Sequence, residues 1–484
     1  MTSIEKILST GDCKKAQLQL IDGPKTEVPG LYKFKFCEDY EWTLNTKEDP
    51  VEASSSDPRM DYFIQRMNTY FSCCPRYDPH EFNLDPILRQ CARIFLHYTL
   101  HGSWKAERVS HVAAAYAADQ GQAARRPLFR RRPDSAQDSA AAAVYGALVG
   151  ASFGVPLDGL LRPPNGEEIA EAKHMPGGGP KWLAPGQVTA DAESLVCALR
   201  ALSGPEYACS GELPAFNSAA LRAELDKWAA TEPVDGAMDQ AAGRHRVNPF
   251  AMMGLSMPVS LSAWPCRSLL WTTALGVWGR KLPPEQLAQM VLEAAGITNM
   301  EDPAPPASAC MALTVAFLVE NSEDPQRNVH AFETAKYLAD AVFHSESLTT
   351  WLETAATATA EGFDRNNLGA LAMFGPLGSV FCLAFMQLIQ KTPFVQALEE
   401  AAALGGSVST NAAVVGALMG AYWGTWVVPN AWKEAVLESS TERVGVDRPE
   451  WVHPKQVPDL IEKVFEMSPV SVTTVPAAVK NALI

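Results

Sequence analysis

From residue 139 to about residue 432, apolar residues recur at three- and four-residue spacing, interrupted by loops rich in glycine and proline. This periodicity predicts a succession of helices with buried faces. The first 135 residues differ. Aromatic and apolar residues nearly alternate in Leu31–Leu44, which predicts a strand or hairpin, and three helix-like segments follow, at Met60–Tyr70, Asp85–Leu100 and Trp104–Asp119. We therefore expect a mainly α protein.

These patterns divide the chain into three regions. Residues 1–135 form an N-terminal α+β extension, residues 139–435 a helical domain, and residues 436–484 a looser C-terminal tail. A linker rich in arginine and proline, residues 124–138, joins the first two regions. Its charge has two interpretations, a solvated linker or a docking patch for an acidic partner.

Glycine recurs every four residues at two places in the helical region. Gly146, Gly150 and Gly154 form one set, and Gly416, Gly420 and Gly424 form the other. Positions i, i+4 and i+8 share one helix face. Each interior helical glycine costs about 1 kcal/mol relative to alanine, so such a face needs a packing reason. We expect a close helix crossing inside a protein core.

Composition narrows the class of protein. Hydrophobic residues make up 47% of the chain and charged residues 20%, which is typical of a globular protein. The net charge of −15 argues against a nucleic-acid-binding protein. The uncharged run Leu368–Ile389 contains Gly375 and Pro376, so we expect a buried core helix and not a membrane span.

The cysteines and the N-terminus bear on the cellular compartment. The ten cysteines are scattered without a CxxC pair, which favours reduced thiols. The N-terminal residues lack a secretory apolar region and are not typical of a transit peptide. We expect a cytoplasmic protein, with cytoskeletal assemblies included and an organelle left open.

Small hydroxyl and acidic residues stand at two predicted helix starts. One start follows a Gly-rich loop and reads PGQVTADAES, where Thr189 or Asp191 can cap the helix. The other reads GGSVST, where capping by Ser407 or Ser409 is a sufficient explanation. The Gly-rich loop at Gly177–Gly179 lacks a following Lys-Ser/Thr, so it is weak as a phosphate-binding loop.

Taken in order, these segments resemble the ADP-ribosylglycohydrolase family. The resemblance rests on GALVGASFG with PLDG, on PGQVTADAES, and on GGSVSTNAAVVGALMGAYWG, and it spans residues 139–435. It implies an all-α bundle whose cleft holds a pair of magnesium ions and hydrolyses the bond between ADP-ribose and a side chain. Magnesium requires oxygen ligands, and several carboxylates must converge to offset its charge.

This chain departs from the family pattern at the carboxylates. Where the family has Thr-Asp-Asp-Thr, it has Thr189, Ala190, Asp191 and Ala192, and where the family has Asp-x-Asp-Thr, it has Ser407, Val408, Ser409 and Thr410. Asp158 aligns with the family's loop acid. The resemblance thus leaves Asp158 and Asp191 as remnant catalytic acids, and a remnant metal site made of Asp158, Thr189, Asp191, Ser407, Ser409 and Thr410.

Other candidate residues give weaker evidence of a functional site. His97 and His101 have a metal-binding spacing but no acidic partner in register, so structural roles are favoured. Glu193 is two residues beyond Asp191, and on a helix it points away from Asp191. Trp423, Trp426 and Trp432 are expected to be core aromatics.

The sequence therefore predicts a catalytically inactive member of the fold that serves as a structural or interaction subunit of a larger assembly with protein partners. No cofactor is expected, apart from magnesium if a residual site persists. Two alternatives stay open: a magnesium-dependent hydrolase that removes ADP-ribose from protein side chains, and a module that binds ADP-ribose or a nucleotide without hydrolysis.

Overall fold

The fold is taken from a computed structural model of the chain. It describes residues 18–22, 31–36, 41–45, 108–120, 133–158, 160, 163–179, 183–204, 217–231, 233, 266–299, 302–358, 371, 374–441 and 445–469. The predicted helices Met60–Tyr70 and Asp85–Leu100 lie outside these residues, as do His97, His101 and the arginines of the linker.

The N-terminal extension contains a small antiparallel sheet. Its strands are β1 (Leu18–Asp22), β2 (Leu31–Phe36) and β3 (Glu41–Asn45), in the order β1-β2-β3. Strands β2 and β3 pair from Leu31 opposite Asn45 to Lys35 opposite Glu41, which confirms the predicted hairpin. Further along, residues 108–120 are helical and form α1, which overlaps the third predicted helix and ends one residue beyond it.

The rest of the described chain is a helical bundle. Its helices are α2 (Ala136–Gly154), α3 (Gly166–Ala172), α4 (Ala190–Leu202), α5 (Ser218–Ala229), α6 (Cys266–Trp271), α7 (Thr273–Trp278), α8 (Pro284–Ala295), α9 (Ala304–Glu320), α10 (Arg327–Tyr337), α11 (Glu346–Thr357), α12 (Gly375–Gln390), α13 (Phe394–Ala403), α14 (Val408–Trp423), α15 (Asn430–Leu437) and α16 (Val457–Glu466). The prediction of a mainly α protein is confirmed.

Helix α2 begins earlier than predicted. Ser135 is its N-cap, and the Ser135 hydroxyl accepts a hydrogen bond of 3.1 Å from the backbone N–H of Asp138. The sequence placed residues 135–138 in the linker because their polar character outweighed the apolar pattern. A polar run of this kind is equally typical of a helix start, where side chains satisfy free backbone N–H groups.

Helices α2 and α14 form the centre of the bundle, and their glycine faces meet. A Cβ atom added at Gly146 would collide with the carbonyl of Gly416, and one added at Gly416 would collide with the carbonyl of Gly146. The same holds for Gly420 against Ala142. The predicted close crossing is confirmed. Gly424, in contrast, lies beyond the helix and ends it with a φ of 88°.

The apolar helices are covered by other helices. Ala136–Leu157 is long and apolar enough to cross a membrane, but 83% of its apolar window is buried within the bundle. The run Leu368–Ile389 contains most of α12, whose residues from Leu377 to Leu388 are buried, as expected for a core helix. Long apolar helices are thus accounted for by the packing of this domain.

The described part of the segment assigned to the C-terminal tail packs onto the bundle. Helix α16 contacts α2 and α4, and it buries Leu460, Ile461 and Val464. The guanidinium of Arg280, on the loop after α7, donates a hydrogen bond of 3.0 Å to the carbonyl of Phe465 and stacks over the Phe465 ring. Residues 445–469 are therefore part of the folded domain.

Candidate functional site

Asp158 connects the end of α2 to the start of α14. It follows a single 3₁₀ turn, Val155–Leu157. One carboxylate oxygen accepts a hydrogen bond of 2.8 Å from the backbone N–H of Ser409, and the other accepts one of 2.6 Å from the Ser409 hydroxyl. An anion at a helix N-terminus satisfies free N–H groups and the helix dipole. Asp158 therefore caps α14 from a distant part of the chain.

The sequence assigned this capping role to Ser407 or Ser409, and that assignment is wrong. Ser407 is the N-cap residue of α14, but its side chain makes no capping hydrogen bond. Ser409 lies two residues further along, and its hydroxyl donates a hydrogen bond to Asp158. Local spacing suggested a cap from within the helix start itself, whereas the carboxylate of Asp158, after the 3₁₀ turn that follows α2, supplies it.

The Gly-rich loop before α4 is shaped by its glycines. Gly177, Gly178 and Gly179 all have positive φ angles, of 67°, 89° and 65°. Only glycine adopts this region readily. A Cβ atom at Gly179 would also collide with the carbonyl of Val155. These glycines let the loop pass close to the turn that carries Asp158, which is a structural reason for the sequence PGGG.

Asp191 lies in the first turn of α4 and is 4% exposed. Its Oδ2 atom accepts a hydrogen bond of 2.5 Å from the Thr410 hydroxyl of α14. Its Oδ1 atom lies 2.6 Å from Nε of Arg267 on α6, in a buried ion pair. Three helices therefore meet at this one carboxylate, and a cation of the protein itself faces it.

Thr189 immediately precedes α4 and is 1% exposed. It is the N-cap residue, but its hydroxyl makes no capping hydrogen bond and has no hydrogen-bond partner among the described residues. The backbone carbonyl of Asp191 accepts a hydrogen bond of 2.5 Å from the Ser194 hydroxyl. Because the Thr189 side chain makes no hydrogen bond to the helix, the predicted capping of α4 by this side chain is not observed.

Glu193 points away from Asp191, as the helical spacing predicts. Its carboxylate is held by Arg448, with distances of 2.8 Å from Nε to Oε1 and 2.8 Å from Nη2 to Oε2. The indole N–H of Trp228 donates a further hydrogen bond of 2.7 Å to Oε2. Glu193 thus attaches the C-terminal segment to α4 and does not contribute to the site around Asp191.

The thiol nearest to this site is Cys266, beside Arg267. Burial, and then the negative charge of Asp191, raise the pKa of Cys266 to about 12. The thiolate is the nucleophilic form of cysteine, and it does not form near neutral pH when the pKa is this high. Cys266 is therefore a packing residue.

These residues do not fit a pair of magnesium ions. Among the described residues, no group of three or more His, Cys, Asp or Glu side chains is arranged to hold a metal. Of the predicted ligands, Asp158 receives hydrogen bonds from Ser409, and Asp191 is paired with Thr410 and Arg267. The remaining predicted ligands are neutral hydroxyls, which cannot offset the charge of Mg²⁺.

Sequence reasoning missed Arg267, the cation beside Asp191, and Arg448, which holds Glu193 away from that site. Arg267 stands alone as a charge in the apolar stretch AWPCRSLLW. A lone charge in a buried helix needs a partner of opposite charge, and this signal could have identified it. Of the three predicted core aromatics, Trp432 is fully buried, while Trp423 is partly buried and donates its indole N–H to the carbonyl of Thr392.

Comparisons with known proteins agree with this architecture. The family model for ADP-ribosylglycohydrolase matches residues 132–469, and the chain belongs to this family. No curated protein matches the chain. Among 36 matching chains of known structure is one named "ADP-ribosylglycohydrolase-related protein complex". It is 20% identical with a TM-score of 0.50, and the match covers 69% of this chain and 99% of that chain. At this identity the likeness shows the fold alone.

Proposed function

We propose that this chain is a non-hydrolysing member of the ADP-ribosylglycohydrolase family that serves as a structural or interaction subunit of a larger protein assembly. The observation that carries the proposal is the use made of the remaining acids. Asp158 caps α14 and Asp191 is paired with Thr410 and Arg267, so both carboxylates stabilise the contact between helices.

The chemistry of hydrolysis supports the same conclusion. Removal of ADP-ribose with a pair of metal ions requires carboxylates that hold the metals and a base that activates water. Two carboxylates that are already bonded to the protein, together with hydroxyl groups, do not meet this requirement. We therefore assign no catalytic residue and no resident cofactor to the site around Asp158 and Asp191.

The interaction role is supported by α1, which lies outside the residues that the family model matches. Asp119 accepts a hydrogen bond of 2.9 Å from the N–H of Ala431, at the start of α15, and Arg108 donates one of 3.0 Å to the carbonyl of Glu438, at its end. A negative group at the start of a helix and a positive group at its end both complement the dipole.

Aromatic stacking adds to this contact. The ring of Tyr116 lies 5.0 Å from that of Trp432, with only 8° between the planes. The N-terminal extension is thus joined to the family domain next to α15, and we propose that it presents a docking surface to protein partners in the cytoplasm. This arrangement supports a subunit in which the family fold is a scaffold.

An activity assay tests the first half of the proposal. The full chain is incubated with an ADP-ribosylated protein and Mg²⁺, and released ADP-ribose is measured. We expect no release above that of the Asp191→Ala variant. Release at ordinary enzyme rates, abolished in Asp191→Ala, would establish the magnesium-dependent hydrolase instead.

Two measurements test the remaining half. Calorimetry with millimolar ADP-ribose should show no heat of binding, since saturable heat would favour an ADP-ribose-binding module. Sedimentation of the native protein from its own cells should place it in an assembly much larger than the isolated recombinant chain. A native protein that sediments like the recombinant chain would contradict the subunit role.

A further inference from the structure

Arg267 is a buried cation inside an apolar helix. It lies in α6, a six-residue helix in which every residue is buried, and it is 5% exposed. A buried charge is costly unless it is paired. The helix that carries it is joined to α9, because the hydroxyl of Ser308 donates a hydrogen bond of 2.8 Å to the hydroxyl of neighbouring Ser268.

Asp191 has the complementary property. Its carboxylate is 4% exposed, and among the described residues its partners are Arg267 at Oδ1 and Thr410 at Oδ2. Thr410 is neutral, so the negative charge of Asp191 is balanced by the guanidinium. The pair carries no net charge, and it joins the first turns of α4, α6 and α14.

A divalent cation that approached Asp191 would meet this guanidinium. Like charges in a poorly solvated interior repel strongly, since the effective dielectric constant there is low. The guanidinium also occupies one side of the only carboxylate in the first turn of α4 that faces α14. The donor set therefore disagrees with the magnesium chemistry that the family implies.

We propose that the guanidinium of Arg267 is the resident cation of this site. It balances the charge of Asp191, holds three helix starts together, and excludes divalent metal from this site. This deepens the proposed function and rests on it, because a site without hydrolysis still needs a positive charge beside its buried carboxylate. The fold is then independent of metal.

The test compares Arg267→Ala with Arg448→Ala as a matched control. Arg448 pairs with Glu193, which lies on α4 like Asp191 but on another face of the helix. Thermal unfolding of the full chain is followed in EDTA, in Mg²⁺, and in low millimolar guanidinium with equal urea as the solvent control. The wild-type Tm should be the same with EDTA and with Mg²⁺.

In Arg267→Ala the Tm should fall by on the order of 10 °C, because a buried carboxylate loses its partner. Added Mg²⁺ or guanidinium should restore part of the loss, since either cation can enter the space beside Asp191. Arg448→Ala should also lose stability but gain less from either cation. A cation response no larger than that of Arg448→Ala would overturn the proposal.

If Arg267→Ala does not fold, the double variant Arg267→Leu/Asp191→Asn still tests the proposal. With both charges removed, it should recover most of the wild-type Tm and show no response to Mg²⁺. A double variant that is as unstable as Arg267→Ala would contradict the role of charge balance. The proposed function fails separately: a wild-type Tm raised by Mg²⁺ overturns the resident cation, whereas release of ADP-ribose overturns the non-hydrolysing subunit.

Discussion

Helix α4 carries two buried acids, Asp191 and Glu193, and their hydrogen-bond and ion-pair partners differ. Both are 4% exposed and both face an arginine. Glu193 is gripped at both oxygens by Arg448 and receives an indole hydrogen bond from Trp228. Asp191 has one close contact with Arg267 and one with Thr410. A similar ion pair thus joins the C-terminal segment to α4 at Glu193 and joins the starts of neighbouring helices at Asp191.

The difference shows how two acids on one helix can join it to different parts of the same fold. Side chains two residues apart on a helix point to different faces, so Asp191 and Glu193 have separate neighbours. Glu193 holds the segment that contains Arg448, and Asp191 holds the starts of neighbouring helices. In both cases an arginine supplies the positive charge beside the acid.

The largest effect is expected from Arg448→Ala. It leaves Glu193 buried without its charged partner, and it also removes the hydrogen bond of 3.0 Å from Arg448 to the carbonyl of Thr231. Breaking a buried ion pair on one side costs about 3–5 kcal/mol. We expect this loss in the free energy of unfolding, measured with urea. A loss smaller than that of Arg267→Ala would reverse the ranking of the two pairs.

A middle-sized effect is expected from Thr410→Val. This change keeps the shape of the side chain but removes the hydroxyl that donates a hydrogen bond to Asp191. Hydrogen bonds to charged groups contribute about 1.5–3 kcal/mol, and we expect a loss in this range from the unfolding free energy. Thr231→Val is the control at the other acid. The Thr231 hydroxyl accepts a hydrogen bond of 2.8 Å from Nη2 of Arg448 and donates one to the carbonyl of Trp228, so its contact is with the arginine and not with the acid. Equal losses in the two variants would contradict a special role for Thr410.

The smallest effect concerns a group that is only partly buried, Tyr116 on α1. Burial, and then the charge of Glu399, raise the pKa of Tyr116 from 10.0 to about 12. Below pH 10 the phenol is neutral in both the folded and unfolded states, and its contribution is fully present. Between about pH 10 and 12 only the unfolded state loses the proton, so stability falls as pH rises.

Tyr116→Phe should lack this fall. Allowing for partial exposure, the difference between the two proteins should be about 1 kcal/mol at the upper end of this range. Urea unfolding at a series of alkaline pH values measures it. A variant that loses stability with pH as steeply as the wild type would show that Tyr116 does not stay protonated against Trp432.

Much of the fold followed from the sequence because its signals are local. The glycine faces at Gly146 and Gly416, the hairpin and the apolar core helices each depend on spacing within one element. The partners of the acids did not follow. Arg448 is 255 residues from Glu193, and Ser409 is 251 residues from Asp158. Such pairings are set by the packing of helices and leave no periodic trace along the chain.

We propose above that the site at Asp191 holds its own cation and does not take magnesium. Calorimetric titration of the full wild-type chain with Mg²⁺ tests it most directly, with Arg267→Ala measured beside it. The account predicts no saturable heat for the wild type and measurable binding for the variant. Saturable binding of Mg²⁺ by the wild type, lost in Asp191→Asn, would contradict it.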